Sequence, residues 1–309
     1  MKRITAFLTA VILILSLTAC QGTPSESADT DRVHIVAAMF AEYDFARQIA
    51  GDCADVRMLL PPGADMHSYE PTPDDIISLT SCDVFICGGG ESDTWLEDIL
   101  ESMPDSLLTV KMMDTCELLH EDEHAEEDHG HEHEEYDEHV WTSPKNAIKI
   151  VEAITDAICS VDSENAEVYR QNESEYVAEL KKLDGDFESV TKNAKRNEVI
   201  FADRFPLLYF AEEYGLEYLS AFPGCSHSTE ASAGKVRELI DCVRSGGIPV
   251  IFKIELSNDA LARTVSEETG ATVLEFHSCH SISASQLESG ETYLSLMRKN
   301  LENLRVALG

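Results

Sequence analysis

The chain has 309 residues, and its 58 Asp and Glu stand against 23 Lys and Arg, for a formal net charge of −35. That surplus excludes nucleic acid as a partner, because phosphate binding needs clustered Lys and Arg. It suits attraction of cations, although acidity alone is usually a solubility feature, and the length fits two domains of ordinary size.

The chain opens on Met1-Lys2-Arg3, followed by an apolar run from Ile4 to Leu17. A run of about 14 residues is short of the roughly 20 that cross a bilayer and matches the h-region of a secretory signal. Leu17-Thr18-Ala19-Cys20 resembles the bacterial lipobox. That motif implies a signal peptide over 1–19 and a lipidated Cys20 as first mature residue, on the outer face of a membrane. The plainer alternative is cleavage at small residues before an ordinary cysteine. Residues 20–31, rich in Ser, Thr and Asp, read as a flexible tether. Of nine cysteines, eight remain beside Cys20. An oxidising compartment permits disulfides among them without proving any, and the absence of C-x-x-C argues against a thiolate zinc cluster.

Val33–Ala38 reads as a strand, 42–50 as a helix and Val56–Leu60 as a second strand. A helix is expected over 72–81, with Pro73 in its first turn, Asp74 and Asp75 at its positive end and Ile76, Ile77 and Leu79 on its apolar side. A third strand at 84–87 runs into Gly88-Gly89-Gly90. Alternation of strand and helix predicts a parallel sheet. From 163 to 195, Tyr169, Tyr176, Leu180, Leu183, Phe187 and Val190 are spaced as one stripe of a long helix. Gly185 weakens that helix by about 1 kcal/mol without breaking the pattern. Strands at 198–202, 218–221, 249–254 and 272–276 then alternate with helices near 206–214, 232–245, 258–269 and 292–308. The expected architecture is α/β: two lobes with parallel-type sheets, 32–160 and 197–309, joined by one long rigid connecting helix over 161–196.

The most unusual segment runs from His120 to His139. Between His120 and Glu138 it holds His120, His124, His129, His131 and His133, eleven carboxylates and no Lys or Arg. No apolar periodicity is present to repay ordering, so 119–138 is read as a disordered loop. Imidazoles and carboxylates both bind zinc-like ions, so the loop is suited to weak capture of metal at several sites. A merely solvated acidic loop is the bland alternative. Other histidines stand at the ends of ordered elements: His67 between a strand and a helix, His139 where the loop rejoins the fold, His277 and His280 after the last strand. In open parallel sheets the ligand crevice lies at the carboxyl ends of strands. Singly, each is more often a surface or hydrogen-bonded residue than a ligand; together they point to a metal site. Glu70 and Glu230 read as caps or as carboxylates orienting histidine rings, with a surface role as the default. Cys82 and Cys87 read as core residues.

Several segments carry a resemblance: the lipobox, PPGADMHSYEPTPDDI, Gly88-Gly89-Gly90-Glu91-Ser92, the acidic histidine loop, HVWTSP, YFAEEYGLEY, IPVIFKIELSND and EETGATVLEF. Together, in order, they resemble the zinc/manganese-binding solute-binding lipoproteins of bacterial ABC importers, the ZnuA/AdcA-like family. The proline-flanked histidine and HVWTSP are its specific parts. The resemblance implies two α/β lobes, a rigid connecting helix and one buried metal between the lobes. It makes His67 and His139 metal ligands. The family's third ligand, a histidine before YF-x-x-x-YGL, is missing here, where Ala202-Asp203-Arg204-Phe205-Pro206 stands. Asp203 is a weaker candidate, since Arg204 is an equal claimant on its carboxylate. His277 occupies the position of the family's late acidic ligand, and His280 is held in reserve. Cys225 and Cys279, in two loops of the second lobe, are a candidate disulfide. Two buried thiols, or Cys279 as a thiolate ligand, are the alternatives.

The function this implies is a monomeric, membrane-anchored protein that captures Zn2+ and delivers it to an ABC importer permease. Zinc is preferred over Mn2+ because imidazoles suit zinc and manganese takes more oxygen ligands. A surface metal buffer or adhesin is a competing class. An extracellular metalloenzyme is disfavoured, since no H-E-x-x-H and no nucleophile elbow is present.

Overall fold

The computed structural model describes residues 32–64, 69–90, 93, 96, 99–101, 103, 106–120, 136–224 and 231–309. The expectations placed on Cys20, His67, Glu91, His124, His129, His131, His133, Cys225 and Glu230 lie outside the described residues.

The first lobe is built on β1 (Val33–Ala37), α1 (Phe40–Ala50), β2 (Ala54–Met58), α2 (Pro73–Ser81), β3 (Val84–Cys87) and β4 (Leu108–Lys111). Its sheet has the order β2-β1-β3-β4, and every pair is parallel. Thr72 starts α2 by accepting from Asp75 N at 3.3 Å while Asp75 accepts from Thr72 N at 2.8 Å, with Pro73 in the first turn. That reciprocal pair satisfies two backbone donors that a helix start leaves open.

Between the strands of the two sheets in the chain come α3 (Pro144–Val161) and α4 (Ala166–Lys192). The stripe expected on α4 is its buried face, with Tyr169, Tyr176, Leu180, Leu183 and Phe187 inside. No helix among the described residues is long and apolar enough to cross a membrane. Neither α3 nor β4 was foreseen, and the signal for α3 was available. Ser143 caps it by accepting from Asn146 N, Pro144 sits in its first turn, and Ala147, Ile150, Val151, Ile154 and Ile158 recur on one buried face. β4 is four residues with one buried side chain, too short for an alternation to register.

The second lobe repeats the plan: β5 (Glu198–Phe205), α5 (Leu208–Tyr214), β6 (Glu217–Pro223), α6 (Ala233–Gly246), β7 (Val250–Lys253), α7 (Ala260–Thr269) and β8 (Thr272–Glu275). The order β6-β5-β7-β8 is again all parallel. Short α8 (Ala284–Glu288) and final α9 (Tyr293–Leu308) follow. Central strands are buried on both faces, as parallel sheets require. Phe201 faces a core shared with Phe210, Phe252 and Phe276, while Ile200 and Ala202 face Leu239, Val243, Ile251 and Val265. The first of these cores also holds residues of β1, β3, α1, α3, α4 and α9, so apolar packing is continuous from one sheet to the other.

Candidate metal centre

The two sheets present the carboxyl ends of their strands to a common cavity of about 140 Å³. Gly63 and Ala64 reach it from beyond β2, His139 from the segment before α3, and Arg204, Pro206 and Gly224 from the ends of β5 and β6. Ile254, Glu255 and Leu256 follow β7, and Ser278, His280 and Ser281 follow β8. Hydrogen bonds cross the gap around it: Gly63 N to Ile282 O at 2.7 Å, Ser281 Oγ to Ala64 O at 2.8 Å, and Trp141 Nε1 to Ser278 O at 2.9 Å.

His139 is fully buried. Its Nδ1 lies 3.1 Å from Asp137 Oδ1, which also accepts from His139 N at 2.8 Å. A carboxylate can only accept, so the imidazole carries its proton on Nδ1 and its lone pair on Nε2, the arrangement a metal-binding histidine needs. His280 stands next to it, with ring centroids 5.6 Å apart, and Trp141 packs at 5.3 Å from His139 and 5.4 Å from His280. Asp137 and Glu138 are themselves buried, and across the neck of the loop Leu119 pairs with Asp137 and His120 with Tyr136. The irregular loop expected over 119–138 is therefore narrower: both ends belong to the fold. His120 is exposed, its ring against that of Tyr136 at 4.4 Å, away from the cavity.

His277 was expected among the metal ligands; it is not among the residues that line the cavity. Its ring is buried, its Nδ1 accepts from Cys279 N at 3.0 Å, and Asn300 brackets its backbone at 2.7 Å on both N–H and C=O. Glu255 Oε2 is 3.8 Å from Nδ1, and Nε2 has no hydrogen-bond partner among the described residues. Asp203 is also turned away. Its Oδ1 accepts from Arg204 N at 2.8 Å and its Oδ2 from Ile254 N at 3.1 Å. The β5–β6 register shifts between Phe201 and Arg204, and the carboxylate serves a backbone donor beyond the end of β7. Arg204, not Asp203, faces the cavity. Cys279 is a fully buried thiol, free among the described residues, and its candidate partner Cys225 lies outside them. Burial pushes its pKa well up, against a thiolate ligand. Glu70 is exposed, Cys82 half-buried and Cys87 buried.

Glu255 was missed by sequence reasoning. It is 6% exposed, and its carboxylate accepts from Ser278 N at 2.7 Å and Ser278 Oγ at 2.6 Å. Burial alone would raise its pKa; the nearby His277 and the Ser278 bonds outweigh it and hold the group below the usual range. It thereby ties the end of β7 to the loop carrying His280. Two non-glycine residues in this region adopt left-handed backbone, Leu256 at φ 55° and Cys279 at φ 60°. Such conformations are uncommon and gather at functional sites.

Two parallel-sheet lobes with imidazoles lining a cavity between their strand ends define a two-lobed binding protein with a candidate metal site. Comparison with known proteins agrees. The sequence matches the family described as ZnuA, zinc-uptake complex component A periplasmic, over residues 35–307, and the chain belongs to that family. It is 32% identical to the high-affinity zinc uptake system protein ZnuA of Bacillus subtilis, covering 98% of this chain and 96% of that one. It is also 32% identical to the zinc-binding lipoprotein AdcA of Streptococcus pneumoniae, covering 99% of this chain and spanning 61% of the relative's length. The crystal structure of the metal-dependent lipoprotein YcdH from Bacillus subtilis superposes with a TM-score of 0.78 at 30% identity, covering 90% of this chain and all of that one.

Proposed function

We propose that this protein captures a transition metal ion, zinc foremost, between its lobes and passes it to an ABC importer. The observation carrying the reading is the cavity wall itself: buried His139, its Nδ1 held by Asp137, faces the same cavity as His280 across 5.6 Å. His67, three residues beyond Ala64 in the same Pro-containing segment, is the third ligand in this reading, on the strength of its motif. His280 takes the place first assigned to His277, and Asp203 leaves the ligand set. Imidazole donors favour zinc over manganese, and the zinc-binding relatives support the same metal. Cys20 anchors the chain to the membrane as a lipid-bearing residue, and the histidines of 120–133 gather metal weakly.

Native mass spectrometry with zinc and manganese in competition tests this on the wild type, His139→Ala and His280→Ala. One tightly bound zinc, lost in both variants, is expected. Full retention in either variant removes that residue from the site, and preferential uptake of manganese overturns the choice of metal. Restoration of growth on low zinc, in cells lacking their own binding protein, separates an importer subunit from a passive buffer.

A further inference from the structure

The neck of the histidine-rich loop is held by a side chain from the opposite lobe. Asp137 N donates to Leu119 O at 2.9 Å, closing the neck. Tyr209, on α5, places its hydroxyl between the same two residues, accepting from Leu119 N at 3.2 Å and donating to Asp137 O at 2.7 Å. The side chain is nearly fully buried. Asp137 in turn presents Oδ1 to both His139 N and His139 Nδ1. Gly224, after β6, closes the other side, where an added Cβ would come within 3.5 Å of both Asp137 Oδ2 and His139 Cε1. The orientation of a histidine in the first lobe is therefore set by groups of the second.

We propose that Tyr209 is a positioning residue for His139, acting through Asp137, so that the imidazole is aimed at the metal only while the second lobe is seated against the loop neck. Resting on the metal-site reading above, this adds a coupling to it. Movement of α5 away from the neck withdraws the hydroxyl from Leu119 N and Asp137 O and loosens the main-chain anchor of the residue whose carboxylate holds Nδ1. Ligand geometry then follows lobe position, which gives a carrier a way to loosen its cargo when a partner separates the lobes. A hydroxyl that donates and accepts at once is needed for this bridge, and phenylalanine keeps the ring while removing both bonds.

The test uses the full chain carrying Tyr209→Phe, with Zn2+ affinity measured by chelator competition and Co2+ as a spectroscopic probe of ligand geometry. Zinc affinity should fall by roughly 10- to 100-fold, the usual effect of removing a group that orients a ligand, and the Co2+ ligand-field bands should shift. Wild-type affinity and bands overturn the proposal. So does a lower melting temperature with affinity and bands unchanged, because Tyr209 would then act only in folding. Asp137→Asn leaves both main-chain bonds to Tyr209 in place and alters only the acceptor facing His139. If Tyr209→Phe does not fold, that variant decides, and unchanged bands and affinity overturn the proposal. His139→Ala, run in parallel, separates the two readings. Retained zinc affinity there overturns the metal site itself, whereas loss there beside a wild-type Tyr209→Phe overturns only the role of Tyr209.

Discussion

Two histidines three positions apart, His277 and His280, are given different work by one turn of backbone. Cys279 adopts φ 60° between them. His277 stays in the core with its Nδ1 accepting from Cys279 N, while His280 reaches the cavity beside His139. Replacing His280 by Ala should weaken zinc binding by more than about tenfold, the lower range for losing even an indirect partner. His277→Ala should leave affinity within a few-fold but lower stability by about 1–3 kcal/mol, because Cys279 N loses its acceptor in a buried site. Calorimetric titration and urea unfolding of both variants check the contrast. Asp203 belongs with His277: Asp203→Ala strands Ile254 N and Arg204 N, and the cost falls on folding. Trp141, packed on both His139 and His280, offers a direct reporter. With Trp95→Phe as background, zinc should change the emission of Trp141, and a silent titration would place the ion elsewhere.

At the scale of elements, α4 shows how much a periodic segment discloses before folding. Its stripe from Tyr169 to Phe187 is the buried face, and Gly185 is the one interior weakness. A Cβ added there meets nothing within 4 Å. Gly185→Ala should therefore raise stability by about 0.5–1 kcal/mol, read as a higher melting temperature with zinc binding unchanged. The turn after β3 behaves in the opposite sense. Gly90 leaves room for the Glu138 side chain, which an added Cβ would strike, and Asp93 Oδ2 accepts from Gly89 N at 2.8 Å. Burial foremost, then the charge of Glu138, lifts the Asp93 carboxyl to about 6, against the bonds from Gly89 and Gly88 and the charge of Lys111. A carboxyl raised in the fold contributes most below its unfolded value of 3.8 and loses that contribution as pH climbs through 6. The loss is on the order of 3 kcal/mol at most. Asp93→Asn should therefore gain stability relative to the wild type as pH rises from 4 to 7.5, and urea midpoints across that range will show whether the gap widens.

At the scale of the whole molecule, hydrogen bonds of the His280 loop to Gly63, Ala64 and Trp141 hold the two lobes together around the cavity. Removal of the histidine-rich insertion should stop at its neck. Deleting residues 121–135, with Asp137 and Glu138 kept, should slow metal capture at low supply while leaving one tight site. Extending the cut through 138 should destroy that site as well, because it removes the carboxylate that orients His139. Equilibrium affinity and association rate, measured for both deletions, distinguish the two outcomes.

Hydrophobic patterning is local, and it was enough to disclose two α/β lobes, their parallel strands and the long helix between them, and to put histidines at strand ends. The stripe of α3 is of the same local kind. Coordination is not local. Whether His277 or His280 meets His139, and whether Asp203 turns to a metal or to Ile254 N, depends on left-handed backbone at Cys279 and a register shift in β5. Cys279 is not a glycine that would announce such a turn. Tyr209 and Glu255 act through hydrogen bonds to residues 72 and 23 positions away in the chain; packing of the two lobes brings Asp137 to Tyr209, and pairing of β7 with β8 brings Ser278 to Glu255.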